Sequence, residues 1–182
     1  MKIYVISSYR ERFPGLKGKE LTEALIRLCA GKPEIIIRRT PEGKPVTDGM
    51  ELSVSHSGSL FACVLGDSPV GIDLQHRRSV KTGKIAERYF TEEESRRVKT
   101  PDDFFGIWVR KEAYAKYTGE GLAQVIDKVD VLNREDVAFA DMFIEDPGTG
   151  EECFCSVCTG AGEGAEAGVC PEVREDISIC YI

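Results

Sequence analysis

An α+β fold is predicted for this 182-residue chain by three observations. Period-two runs rich in β-branched residues alternate with stretches of helical periodicity. The element order is strand, helix, strands, then helices, then strands. Helix boundaries are marked by residue type: Thr91-x-x-Glu94 has the form of a capping box, Pro101 suits a first helical turn, and Gly31 and Gly119 follow the last periodic residues. Such an order sets one helix from each half against an antiparallel sheet.

Taken in order, residues 2–7 alternate and read as a strand. Residues 17–30 carry Leu21, Leu25 and Leu28 at helical spacing, and Gly31-Lys32-Pro33 stops them. Residues 34–39 read as a short strand. Residues 40–48, with two prolines and Gly43, read as a loop. Residues 50–55 and 60–65 form a strand pair joined across His56-Ser57-Gly58-Ser59, and residues 70–74 form a further strand. Helices begin at Thr91 and at Pro101, the second running to about Tyr117. Residues 125–132, 137–144, 152–158 and 177–182 read as strands, with a glycine-rich loop at 160–168.

Composition narrows the function. Hydrophobic residues make up 42% of the chain and charged ones 30%, which suits a folded domain rather than a disordered segment. The net charge of −7 argues against a generic nucleic-acid binder. No signal peptide and no apolar run of about 20 residues is visible, so a cytoplasmic protein with no membrane partner is expected. Seven cysteines, an odd number, then read as free thiols. Residues 77–99 hold eight basic residues against four acidic ones, net +4, a surface able to steer an acidic partner or a solvated helical face.

The chemistry-bearing residues fall into two stretches. Val70-Gly71-Ile72-Asp73 is an apolar strand ending in a carboxylate, where Gly71 permits close approach of a ligand or a backbone. Asp73 suits an oxygen ligand for Mg²⁺ and equally a turn-starting acid. Trp108 to Lys116 is helical, with Glu112 and Lys116 at i, i+4. Alone they read as a surface ion pair, although Trp108 one turn earlier points to a partly buried face. His56, between Ser55 and Ser57, suits phosphate contact or a turn. Cys155-Ser156-Val157-Cys158 is a C-x-x-C without the second tight pair a structural zinc site needs. No P-loop, dinucleotide-binding or zinc-protease motif is present.

In order, Gly43-Lys44-Pro45, Ser55-His56-Ser57, Gly71-Ile72-Asp73 and Trp108-x-x-Lys111-Glu112-Ala113-x-x-Lys116 resemble the 4'-phosphopantetheinyl transferases, specifically the larger pseudo-dimeric type. The similarity spans roughly residues 17–182. It implies two similar α/β halves related by a pseudo-two-fold, at 1–75 and 76–182, in a monomer. It implies transfer of phosphopantetheine from coenzyme A to a serine of an acyl or peptidyl carrier protein, releasing adenosine 3',5'-bisphosphate.

Residue by residue, Asp73 and Glu112 match the family's Mg²⁺ ligands, and Lys116 matches the lysine near the pyrophosphate. Asp73, Glu112 and Lys116 are thus the expected catalytic set. Ser55 and His56 match phosphate contacts. Lys44 matches a 3'-phosphate contact, with Gly43 and Pro45 shaping the adenine edge. Where many members carry a third acid this chain has Gln75, a neutral candidate ligand. Lys17 and Lys19 are candidate stand-ins for a basic stretch that often contacts the 3'-phosphate. The 77–99 segment becomes the expected docking surface for the carrier protein. Two other readings remain open: a degenerate homologue that binds coenzyme A or a carrier protein without efficient transfer, and a cysteine-rich metal or redox module.

Overall fold

The structure, a computed structural model, describes residues 1–162 and 178–181. The elements are β1 (Lys2–Ile6), α1 (Tyr9–Arg12), α2 (Gly18–Ala30), β2 (Ile37–Arg39), β3 (Pro45–Thr47), β4 (Glu51–Ser57), β5 (Leu60–Gly66), β6 (Val70–His76), α3 (Thr82–Tyr89), α4 (Glu92–Arg97), α5 (Pro101–Thr118), a 3₁₀ turn at Leu122–Gln124, β7 (Val137–Glu145), β8 (Glu152–Gly160) and β9 (Ser178–Tyr181). One sheet runs β4-β5-β1-β9 and another β6-β8-β7, with β2 and β3 as a separate hairpin. Pairing is antiparallel except between β1 and β9. The strand orders β4-β5-β1 and β7-β8-β6 follow the same chain-order pattern, with α2 inserted after β1 and α5 after β6.

Strand alternation builds the layers. Ile3, Val5, Ala62 and Val64 share a buried cluster with Ile72, Leu74, Cys155 and Val157, joining the inner faces of the two large sheets. The opposite face of the first sheet, with Ile6, Phe61 and Cys63, buries Leu21, Leu25 and Ile26 of α2. The opposite face of the second, with Phe154 and Cys158, buries Phe105, Val109 and Ala113 of α5. The chain is therefore α+β, as expected.

At their edges β4 and β6 are joined by side chains. The backbone N–H groups of Ile72, Leu74 and His76 donate to the hydroxyls of Ser53, Ser55 and Ser57 at 3.1, 3.1 and 3.0 Å. Serines two apart lie on one face of a strand, so the Ser-x-Ser-x-Ser run meets alternate N–H groups of its neighbour. The 75/76 division expected between the halves falls inside β6, whose ladder partner is β8.

Several elements differ from expectation. The loop expected at 40–48 contains β3, which pairs with β2 around Gly43, whose φ of 90° is the left-handed backbone that glycine adopts without strain. The strand at 34–39 shortens to Ile37–Arg39. His56 and Ser57 continue β4, and the turn narrows to Gly58 and Ser59. Helices α1 and α3, of four and eight residues, are additions to the expected elements; only Tyr9 and Ala86 are buried on them.

The strand expected at 125–132 is absent. Val125 and Val131 plug the core beneath α5; the Lys128 and Val129 amides turn back to the Val125 carbonyl, and side chains take up the Val129 carbonyl and the Val131 amide. Lys111 Nζ donates to the Val129 carbonyl at 2.7 Å and Val131 N donates to Glu94 Oε1 at 2.8 Å. A segment so capped does not need a strand partner. The glycine-rich loop lies outside the described residues beyond Gly162, as does Cys170.

Candidate active site

Helix α5 crosses the face of β6 at contact distance because Gly71 has no side chain. A Cβ there would lie 1.9 Å from the Ala113 carbonyl oxygen and 2.6 Å from Tyr117 N. The close approach that Gly71 permits is thus that of a helix backbone. It sets Lys116 over the middle of β6, where Nζ donates to Asp73 Oδ1 at 2.7 Å and to the Ile72 carbonyl at 2.9 Å.

The helix is held in rotation by the residue beside Glu112. Lys111 points away from the site and pairs with Glu94 at 2.7 Å, both side chains fully buried. Burial lowers the Lys111 pKa, and the carboxylate of Glu94 opposes that shift. Glu94 also completes the capping box of α4, accepting from Thr91 N at 2.9 Å. With Lys111 anchored inward, Glu112 faces outward into the cleft between α5 and β4.

That cleft is a cavity of about 450 Å³. Glu112 and Lys116 line it from α5, Ser55 and His56 from β4, and Gly43, Lys44 and Pro45 from the β2–β3 turn. Three stretches far apart in sequence therefore meet there. Asp73, only 6% exposed, sits behind this lining and accepts from Ser55 Oγ at 2.7 Å as well as from Lys116, both on Oδ1. Burial raises the Glu112 pKa, the Asp73 carboxylate adds to the rise, and Lys116 opposes it. Burial lowers the His56 pKa, reinforced by the charges of Arg10 and Lys116 against the pull of Asp73.

Two residues stand differently from expectation. The Ser55 hydroxyl gives its proton to Asp73 and accepts from Leu74 N, so its first task is to hold the carboxylate. Lys44 Nζ donates to the carbonyls of Lys116 and Val70 at 2.5 and 3.3 Å, tying the hairpin to α5 and β6. Burial lowers its pKa, opposed by Glu51. Gln75 Nε2 donates to the His76 carbonyl at 2.9 Å. Lys17 and Lys19 are exposed and are not part of the cavity lining.

Among the described residues no cluster of three His, Cys, Asp or Glu side chains could hold a metal ion. Two acids are available instead, Asp73 and Glu112, while Gln75 is not part of the cavity lining. Asp73 and Glu112 are close enough for one to raise the pKa of the other, the signature of like charges that a cation would relieve. The oxygen donors suit Mg²⁺, which takes one or two carboxylates plus substrate phosphates. The C-x-x-C pair does not form a site: on β8, Cys155 packs between the sheets and Cys158 under α5, on opposite faces. Their thiols are pushed up by burial, to about 12 for Cys158.

A sequence model of the 4'-phosphopantetheinyl transferase superfamily matches residues 69–162, just over half of the chain and all of β6, α5, β7 and β8. The chain belongs to the 4'-phosphopantetheinyl transferase superfamily. Among curated members, it is 33% identical over 116 residues to a 4'-phosphopantetheinyl transferase of Bacillus subtilis, covering 60% of this chain and 50% of that protein. It is 26% identical over 160 residues to 4'-phosphopantetheinyl transferase Sfp of Bacillus subtilis strain 168, covering 81% and 69%. It is 28% identical over 172 residues to 4'-phosphopantetheinyl transferase ffp of Bacillus subtilis, covering 88% and 70%. The chain thus spans half the length of the first transferase and about 70% of the other two. The superfamily match includes Asp73, Glu112 and Lys116, while the hairpin and β4 that complete the cavity precede it.

Five contributors carry no role in the sequence reading. Lys111 and Glu94 are 17 positions apart and meet only through the packing of α4 on α5. Ser53 and Ser57 have a visible signal, the alternation of serines around His56. Arg39 also lines the cavity and had no motif to mark it.

Proposed function

We propose that this chain transfers the 4'-phosphopantetheine group of coenzyme A to a serine of an acyl or peptidyl carrier protein, with Mg²⁺, releasing adenosine 3',5'-bisphosphate. The observation that carries this is the convergence of Asp73, Glu112 and Lys116 at one wall of a cavity whose other walls carry His56 and the Gly43-Lys44-Pro45 turn. Superfamily membership and the transferases it resembles support the same reading.

Asp73 and Glu112 would hold Mg²⁺, with the Gln75 amide oxygen as a neutral third ligand. Bound there, the cation would offset charge on the pyrophosphate. The rest falls to the chain's own groups. Ser55 fixes the Asp73 carboxylate. Lys116 Nζ, held beside Asp73, is placed to stabilise the departing phosphate. Glu112, or a water beside it, accepts the proton of the attacking serine. One P–O bond forms at that serine while the pyrophosphate P–O bond breaks. Phosphoryl transfer of this kind is mostly positioning and charge stabilisation.

We read the chain as two halves dividing between β5 and β6, consistent with the repeated strand order, and as a monomer. The carrier protein docks on the 77–99 segment. There Arg77, Arg96 and Arg97 are paired with Asp102, Glu92 and Glu93, and the basic face is left to Arg78, Lys81, Lys84, Arg88 and Lys99. Six cysteines among the described residues are free thiols, which supports a cytoplasmic setting; no helix among those residues is long and apolar enough to cross a membrane.

Incubation with coenzyme A, Mg²⁺ and an apo carrier protein, followed by mass spectrometry, tests the proposal. A mass gain of one phosphopantetheine is expected. Gln75 favours one second reading, a homologue that binds coenzyme A without efficient transfer; binding with no mass gain would select it.

A further inference from the structure

We propose that Asp141, pinned by Arg110, keeps the Ser156 hydroxyl turned away from Asp73 and so leaves a carboxylate oxygen of Asp73 open to the cation. The inference rests on the Mg²⁺ reading above. Strand register is its starting point. Asp73 of β6 and Asp141 of β7 both stand opposite Ser156 of β8. Residues directly opposite share one face of a sheet, with Cβ atoms about 4.5–5.5 Å apart. That face is the one covered by α5, because Phe154 and Cys158, two positions either side of Ser156, pack under the helix. Ser156 therefore has a carboxylate on each side.

The serine is 0% exposed, so its hydroxyl proton has to find an acceptor inside the protein. It goes to Asp141 Oδ1, at 2.7 Å. Arg110 holds that acceptor in place. Its Nε donates to Asp141 Oδ2 at 2.7 Å, and its Nη2 donates to the same oxygen. The guanidinium also lies over the Phe139 ring, 5.3 Å from its centre, two positions earlier on the same face of β7. With Oδ2 on Arg110, Oδ1 of Asp141 is left for the serine.

On the other side of Ser156, the hydrogen bonds that Asp73 accepts from Ser55 and Lys116 both fall on Oδ1. A proton from Ser156 would take lone pairs on the oxygen those two leave open, and would compete there with a metal ion. The strip Ser55, Asp73, Ser156, Asp141, Arg110 thus commits its two serines in opposite ways. Ser55 is tied to Asp73, and Ser156 is tied away from it. Asp141 and Arg110 act through Ser156 and are positioning residues.

Calorimetric titration of Mg²⁺ into the full chain with coenzyme A bound, and with no carrier protein present, tests this. Asp141→Leu keeps the size of the side chain but removes the acceptor, so Ser156 turns to Asp73. Mg²⁺ affinity should fall roughly 10-fold, the effect of one hydrogen bond to a charged group. Adding Ser156→Ala to that variant should restore wild-type affinity, and Ser156→Ala alone should leave it unchanged. Arg110→Met, which unpins Asp141, should give a smaller loss with the same recovery, and it carries the test if Asp141→Leu melts early. Unchanged affinity in Asp141→Leu overturns the inference. So does a loss that Ser156→Ala fails to recover, which would assign the effect to the charge of Asp141 or to the packing of β7. A wild type that binds coenzyme A but takes up no Mg²⁺ overturns the cation reading itself.

Discussion

Helix α5 carries two lysine–carboxylate pairs of equal length and opposite character. Lys111–Glu94 and Lys116–Asp73 are both 2.7 Å long and five residues apart on the helix. The first is sealed, with both side chains 0% exposed, and every partner is protein: Thr91, the Val129 carbonyl, the Val131 amide. The second opens on the cavity, with Lys116 27% and Asp73 8% exposed, and a third charge, Glu112, stands beside it unpaired. Distance alone does not separate a structural ion pair from a functional one. Saturation does. The sealed pair has no capacity left for a ligand, while the open pair is short of one positive charge.

The largest expected effect breaks the open side. Glu112→Gln should lower turnover by about 10²–10⁴-fold, the range for losing a positioned acid–base group, with the melting temperature close to wild type. A normal rate with Mg²⁺ as the only metal would remove Glu112 from the mechanism.

Next comes the sealed side. Lys111→Ala leaves the Glu94 charge buried and should cost about 3–5 kcal/mol in chemical denaturation. Replacing both partners by apolar residues should not restore wild-type stability. The Val129 carbonyl and Val131 amide would be orphaned, at about 1–3 kcal/mol each. A fully stable double variant would show that the pair does not hold the 125–132 segment.

Gly71→Ala joins the two sides, since its Cβ must push α5 off β6. It should cost at least the ~1–3 kcal/mol of ordinary overpacking and reduce activity in whatever fraction remains folded, because Lys116 leaves Asp73. Wild-type activity in a folded Gly71→Ala variant would mean that the helix can shift without harm.

The smallest effect is in pH. The Glu112 pKa is raised above its ordinary 4.5 in the folded chain, so the folded state holds this proton longer than the unfolded one. Its contribution to stability is present below about 4.5 and is lost as pH rises through the folded value. Glu112→Gln should therefore be slightly more stable than wild type at neutral pH and indistinguishable at low pH. Denaturation curves at the two pH values would show the opposite trend if Lys116 outweighed burial.

What the sequence made legible follows the same division. The open pair was readable because Glu112 and Lys116 sit one helical turn apart and Asp73 lies in an apolar strand, although β6 runs on to His76 rather than ending at the carboxylate. The sealed pair was not, because nothing local links Glu94 to Lys111. The misread strand at 125–132 has the same origin: its valines look like strand residues, but local turns and side chains from α4 and α5 take the place of a ladder partner. The hairpin was obscured by its prolines, although Pro45 is tolerated in a short strand that has a single ladder partner. Ser55 was visible as a site residue, yet its bond to Asp73 depends on β4 meeting β6 edge to edge.

That meeting has a consequence for solubility. β6 is the outer strand of its sheet, and an outer strand with a free row of amides invites pairing with another molecule. Here alternate amides of that row are occupied by Ser53, Ser55 and Ser57, so a foreign strand finds no register to join. The three hydroxyls thus act as a guard against self-association, and the guard is built into the same strand that presents His56 to the cavity.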